Sequence, residues 1–170
     1  VKLFILGPAG SGKSTLAEAI GSVTNVKSTN LDDLFWNNDL DSFGNKRNEN
    51  ERNLMLNAVL KNESWIMEGV YLEWPRRAME EADRVIFLDF SYGTTCYRII
   101  RRFIRRKMGL EKSVKRETWN GVRELLIWNK KQTAKMHKAI EVLADDQGKD
   151  IVHIKSAKDI EDVICRYRAN

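Results

Sequence analysis

The sequence predicts an α/β fold, a five-stranded parallel sheet with helices on both faces. Two observations carry that expectation. Short apolar runs bounded by turn residues alternate with stretches of helical period along all 170 residues, as strand–helix–strand units require. The first run, VKLFIL, leads directly into GPAGSGKST, and a glycine-rich turn between a strand and a helix is a phosphate-binding arrangement.

Residues 1–6 read as the first buried strand, and 13–22 as a helix with Leu16, Ala19 and Ile20 at helical spacing. Residues 26–31 form a weaker strand. The Asn-rich stretch 37–50 reads as a mobile loop. Residues 51–60 carry Leu54, Leu56, Ala58, Val59 and Leu60 and form a short helix; 64–68 is the third strand. The run RVIFLD, 84–89, is the clearest strand, being short, apolar and β-branched. Ser91 is the expected N-cap of a helix reaching about Lys107. The stretch 108–118 is polar and contains Gly109. A long helix follows over 119–144, with Val122, Leu126, Met136, Ile140 and Leu143 on one face. Residues 150–154 form the fifth strand, and Ser156-Ala-Lys-Asp159 reads as a capping box opening the last helix. There is no internal repeat. The two interruptions, near 37–50 and 108–118, have the character of a binding loop and a lid.

Composition narrows the function classes. No run of 18 apolar residues spans a membrane. No secretory leader is read at the start, so a cytoplasmic protein is expected. Cys96 and Cys165 have no metal-ligand or redox spacing and read as reduced thiols. Net charge is +5, unevenly spread: residues 1–90 hold 10 Lys/Arg against 14 Asp/Glu, and 91–170 hold 19 against 10. The basic half faces an anion or is a solvated face.

The chemistry concentrates at residues 7–15. Gly7-Pro8-Ala9-Gly10-Ser11-Gly12-Lys13-Ser14 fits GxxxxGK[ST], with Thr15 following. Gly10 and Gly12 let the backbone wrap, some of it at positive φ, so that successive N–H groups cradle phosphate oxygens. Lys13 reaches the β- and γ-phosphates of ATP, Ser14 supplies an oxygen to Mg²⁺, and Thr15 stands on the α-phosphate side. Three strand ends add carboxylates, where ligands of such sheets bind. Glu68, followed by Gly69, is the expected second metal-side group, acting through water; its plainer reading is a loop carboxylate capping a helix. Asp32 either accepts the proton of an attacking hydroxyl or caps a helix. Asp89 reads mainly as a turn residue. Arg98, Arg102 and Arg105 share one helix face, and Arg98 and Arg102 are expected on phosphate. Trp36, after LDDLF, is a candidate to stack on an acceptor. Trp65, Trp119 and Trp128 read as core, His137 as exposed, and His153 as a packed, satisfied imidazole.

The P-loop, LDDLFW, WIMEGVY and RVIFLDFSYGTTCYRIIRR together resemble the bacterial DNA topology modulation protein family (FlaR type), small P-loop proteins similar to adenylate kinase and shikimate kinase. The resemblance spans nearly the whole chain. It implies a single P-loop kinase-like domain over 1–170. The implied fold is a three-layer α/β/α P-loop NTPase with sheet order 2-3-1-4-5, an acceptor-binding insertion at about 32–62 and a short lid at about 106–118. It places Lys13 and Ser14 as the phosphate-loop lysine and magnesium hydroxyl. Glu68-Gly69 falls where nucleoside monophosphate kinases carry Asp-Gly, Arg98 and Arg102 match the arginines that open the lid, and Asp32 faces the acceptor. The order also implies that Glu68 and Asp89 flank the phosphate loop. One departure is plain: Glu73 stands where such kinases have an acceptor-phosphate arginine, and Arg76 and Arg77 are its nearest replacements, out of register. The expected activity is ATP-dependent, Mg²⁺-dependent phosphoryl transfer, like that of adenylate and nucleoside monophosphate kinases, to a small acceptor (a nucleoside monophosphate or another hydroxyl or phosphate compound) bound by Asp32, Trp36, Glu68 and Gly69, with Lys13, Arg98, Arg102 and Asp32 catalytic. The alternative is a nucleotide-dependent nucleic-acid-binding or regulatory protein affecting DNA topology, although no DNA-reading module is present in the sequence.

Overall fold

A computed structural model describes residues 1–37, 45–111 and 118–168. Five strands, β1 (Lys2–Leu6), β2 (Ser28–Asn30), β5 (Trp65–Gly69), β6 (Arg84–Leu88) and β7 (Ile151–Ile154), form one sheet in the order β2-β5-β1-β6-β7. All four pairings are parallel. Numbered among themselves, these strands run 2-3-1-4-5, as expected. Two short strands, β3 (Trp36–Asn37) and β4 (Asn45–Lys46), pair antiparallel in a separate ribbon.

The strands are buried on both sides, and alternate residues serve opposite layers. Leu3 and Ile5 of β1, with Ile66, Ile86 and Leu88, pack on Leu16, Ala17 and Ile20 of α1 (Lys13–Thr24) and on Val163 of α7 (Ala157–Arg168). Phe4, Leu6, Met67 and Phe87 face the other way. They meet α2 (Leu31–Phe35), α3 (Glu49–Leu60), α4 (Arg76–Glu81) and the long α6 (Trp119–Gln147). A smaller cluster of Ile99, Phe103 and Val122 joins α5 (Tyr92–Lys107) to α6.

Helix starts follow local chemistry. Asn30 caps α2, Asn48 caps α3, Ser91 caps α5 and Thr118 caps α6, each accepting a backbone N–H. At α7, Asp159 Oδ2 accepts from the N–H of Lys155 and Ser156, both at 2.8 Å, and Ser156 Oγ accepts from Asp159 N, which completes the capping box.

Several expectations are corrected. The second strand is three residues long, and Leu31 already opens α2. Part of the stretch read as a mobile loop is ordered: Trp36 to Asn37 and Asn45 to Lys46 form the ribbon, and α3 begins at Glu49. Residues 38–44, and most of the lid at 112–117, lie outside the described residues. The helix α4 had no periodic signal of its own. Trp65 is core, but Trp119 is 63% exposed, its ring edge-on to Phe103 with centroids 4.5 Å apart, and Trp128 is 43% exposed. His153 is exposed, not packed: β7 is the edge strand, and His153 Nδ1 stands 4.0 Å from Asp89 Oδ2. His137, expected to be exposed, is half-buried: its Nε2 lies 3.0 Å from Asp89 Oδ1 and its ring meets Phe87 edge-on.

Candidate active site

The carboxyl ends of β2, β5 and β1 open into a cavity of about 1090 Å³. Its floor is the loop between β1 and α1. Ala9, Gly10, Gly12, Lys13, Ser14 and Thr15 line it, while Gly7, Pro8 and Ser11 do not. Gly10 (φ 76°) and Gly12 (φ 96°) adopt the left-handed backbone that the wrap demands. A Cβ on Gly10 would come within 2.9 Å of both Ile99 Cγ1 and Thr95 O. Ser11 Oγ is buried with no hydrogen-bond partner among the described residues.

Lys13 is buried, and its ammonium donates to Pro8 O at 3.0 Å. Burial pulls its pKa below the ordinary value, while Glu68 and then Asp32 oppose the shift. Glu68, only 3% exposed at the end of β5, accepts from Ser14 Oγ at 2.7 Å. Burial raises its pKa, and the Ser14 hydrogen bond and Lys13 hold part of that rise back. A hydroxyl and a buried carboxylate in contact beside a phosphate loop are the hard oxygen donors Mg²⁺ takes, with water and phosphate completing its shell. No group of three or more His, Cys, Asp or Glu among the described residues could hold a metal unaided.

Arg98 and Arg102 reach the same cavity from α5. Arg98 Nη1 donates to Ser11 O at 2.9 Å, and its guanidinium lies 4.4 Å from the Phe90 ring centroid. Arg102 is near enough to Lys13 to lower its pKa. Arg105, expected on their face, is paired with Glu111 at 2.7 Å and does not line the cavity. Arg98 also borders a second hollow of about 320 Å³, shared with Ser11, Thr15, Ile160 and Ile164.

The opposite end of the cavity holds Asp32, Trp36, Lys46, Gly69 and Tyr71. Asp32 is not the helix cap, because Asn30 takes that place. Its Oδ1 accepts from the Tyr71 hydroxyl at 2.6 Å, and burial, then Asp32, pushes the Tyr71 pKa up. Phe35 stacks on Tyr71 at 4.7 Å, and Trp36 meets Phe35 edge-on at 5.0 Å. Asp89 is absent from the wall. Its side chain turns to His137 and His153 instead of flanking the loop, which corrects the expectation from strand order. Arg76 and Arg77 are also elsewhere, paired with Glu80 and Glu81 on the exposed side of α4.

Sequence reasoning missed the helix that closes the site. Gly121, Glu124, Leu125 and Trp128 of α6 form a wall of the cavity. Asn129, fully buried, accepts from Ala9 N at 2.8 Å and donates to Ala9 O at 3.2 Å. One turn on, Gln132 Nε2 donates to Val70 O at 2.8 Å. One helix thus grips the phosphate loop and the loop after β5. A signal was present: Asn129 interrupts the stripe Val122, Leu126, Met136, Ile140 at a position where the spacing calls for an apolar residue.

No family model matches the chain, and no curated protein matches it. Solved structures do. A shikimate kinase from Bacteroides thetaiotaomicron superposes with a TM-score of 0.58 at 17% identity, covering 99% of this chain and 96% of that one. A sugar kinase from a Janibacter species gives 0.53 at 14% identity, over 96% and 90%. A deoxyadenosine kinase from M. mycoides, solved with dCTP, gives 0.53 at 16%, over the whole of both chains. At these identities the likeness is one of architecture: the chain has the α/β fold, with a five-stranded parallel sheet, seen in P-loop kinases of small molecules.

Proposed function

We propose that the chain transfers the γ-phosphoryl group of ATP to a hydroxyl of a small acceptor. One observation carries the reading: Lys13, the Ser14–Glu68 pair, Arg98, Arg102 and Asp32 converge on one cavity floored by a glycine-rich phosphate loop. The triphosphate lies on the loop, with its base end toward Arg98, Ile160 and Ile164. Lys13 leaves Pro8 O for the β- and γ-phosphate oxygens. Ser14 and Glu68 would hold Mg²⁺, which, when bound, neutralises charge on the phosphates. Asp32, oriented by Tyr71, accepts the proton of the acceptor hydroxyl as its oxygen attacks. The new P–O bond forms, the bond to the ADP oxygen breaks, and Arg98 and Arg102 stabilise the charge that spreads over the transferred group. Leu125 and Trp128 cover the reacting groups.

The same reading treats residues 1–170 as one kinase-like domain, with the acceptor insertion at about 32–62 and the lid at about 106–118. It assigns the chain to the DNA topology modulation protein family on the motifs quoted above. Free Cys96 and Cys165, and the absence among the described residues of any helix long and apolar enough to cross a membrane, support a cytoplasmic setting. The test is ADP formation from Mg-ATP across a panel of nucleosides, nucleoside monophosphates, sugars and hydroxy acids. One acceptor should raise turnover at least a hundredfold over hydrolysis. Turnover that no acceptor raises, combined with duplex DNA binding that falls steeply with salt, would replace this reading with the regulatory one, which the basic second half of the chain favours.

A further inference from the structure

We propose that Asn129 is the positioning residue of Lys13: by holding the Pro8–Ala9 peptide from α6, it fixes the carbonyl that keeps the Lys13 ammonium off Glu68 and ready for phosphate. This rests on the phosphoryl-transfer reading and adds to it a residue that acts through another and touches no substrate.

The observation is a chain of hydrogen bonds through one peptide plane. Lys13 Nζ donates to Pro8 O at 3.0 Å, and the Ser11 N–H donates to the same oxygen at 3.2 Å. On the far side of that peptide, the Ala9 N–H donates to Asn129 Oδ1 at 2.8 Å. In a trans peptide the C=O and N–H point in opposite directions, so a group that fixes one aims the other. Asn129 Nδ2 adds a second bond, to Ala9 O at 3.2 Å, and the pair keeps the Ala9 backbone from turning. Asn129 is fully buried. A buried amide has to be paired, and both of these side-chain bonds go to the phosphate loop. The Ala9 side chain also packs on the cluster of Ile99, Phe103 and Val122, so apolar contact already seats the loop against α5 and α6.

What the carbonyl does follows from the charges around Lys13. Glu68 and Asp32 are near enough to favour its charged form. The ammonium nevertheless bonds a neutral oxygen, while Glu68 accepts from Ser14 at 2.7 Å. An ammonium turned onto Glu68 would form a buried ion pair, which is costly to break. That pair would take Lys13 from the phosphates and Glu68 from Ser14 at once. A carbonyl is a weaker partner, and phosphate oxygens displace it readily. Bonds in series through one peptide also polarise one another, so the Asn129 amide strengthens the hold of Pro8 O on the ammonium against the carboxylate. Asn129 does this from outside the cavity: Leu125 and Trp128 of the same helix line the wall, and Asn129 does not.

The experiment is a double-mutant cycle on Mg-ATP binding by the full chain. Calorimetric titration compares the parent, Asn129→Leu, Glu68→Gln and Asn129→Leu/Glu68→Gln. In the parent background Asn129→Leu should weaken ATP binding about tenfold, the size of loss that contacting residues show in such cycles. In the Glu68→Gln background the same substitution should cost less than about threefold, because the competing carboxylate is gone. A merely structural role for Asn129 predicts the same factor in both backgrounds. A factor that does not shrink with Glu68→Gln overturns the proposal, as does a loss under about threefold in the parent background. If Asn129→Leu does not fold, judged by circular dichroism and its melting curve, Asn129→Ser takes its place in the same cycle. The cycle reads nucleotide alone, so it decides even if no acceptor is turned over. In that case the transfer reading falls, and the role of Asn129 stands or falls by the two factors. A parent chain that binds no Mg-ATP overturns both.

Discussion

The two ends of the cavity are built in different ways. The phosphate end is almost entirely local chain: nine consecutive residues, two of them glycines at positive φ, wrap between β1 and α1. The acceptor end is assembled from separated segments. Asp32 comes from α2, Lys46 from the ribbon, Tyr71 from the loop after β5, and Trp128 from α6. The first end offers loop backbone and one lysine, which any sequence with the motif supplies, to which the fold adds Glu68, Arg98 and Arg102. The second binds through side chains whose meeting depends on the whole fold. A local motif therefore builds one end, and tertiary packing builds the other.

That contrast can be broken at several points. The largest effect is expected at Lys13. Lys13→Ala should lower kcat/KM on the order of 10²–10³-fold, the loss found when one preorganised donor is removed from a charge-developing site. Steady-state ADP release measures it, and retained turnover would deny the phosphate end its role.

Asn129→Leu comes next, because it tests whether the local loop is as self-sufficient as it looks. Leucine restores the apolar stripe of α6 but removes both hydrogen bonds to Ala9. With two bonds worth about 1 kcal/mol each, ATP affinity should fall by up to roughly thirtyfold, since a decade is about 1.4 kcal/mol. Titration with ATP checks this. Gln132→Leu should leave ATP affinity intact and weaken the acceptor end instead.

A smaller effect is expected in the pH dependence of stability. Burial raises the Glu68 pKa above its ordinary 4.5, so the folded chain holds that proton to higher pH than the unfolded chain. Stability from this group is full below the ordinary carboxyl value and is lost as pH rises through the raised one. Glu68→Gln should therefore gain stability relative to the parent as pH climbs from about 4 to about 8, read as urea midpoints. Parallel curves would show that Glu68 titrates alike in both states. The smallest change belongs to Arg76→Ala. An exposed i,i+4 ion pair is worth about 0.3–0.5 kcal/mol, so thermal unfolding should barely move, and acceptor use not at all.

How much was legible follows the same division. Asp32 and Glu68 could be picked out because a strand end in a parallel sheet is a place that sequence locates. Asp89 satisfied the same rule and faces the other way, toward His137 and His153, because a strand-end side chain can turn to either layer. Trp119 and Trp128 read as core on apolar character alone, yet the one lies over Phe103 in the open and the other walls the cavity. Burial depends on what packs opposite, and no local pattern contains that. Tyr71 and Lys46 carried no signal, since neither spacing nor neighbours marks a residue that meets its partner across 39 positions, as Tyr71 meets Asp32.

By itself the sequence determined the layer order, the parallel sheet, the phosphate loop and the helix caps. Each rests on periodicity, on steric limits of φ, or on a hydrogen bond a few residues long, and such short-range forces act wherever those residues occur. Only the tertiary structure decided that Asn129 grips Ala9, that Gln132 ties down the loop after β5, and that the Tyr71 hydroxyl meets Asp32. Those contacts join residues far apart in the chain, and they exist because α2 and α6 pack on the sheet face whose strand ends open into the cavity.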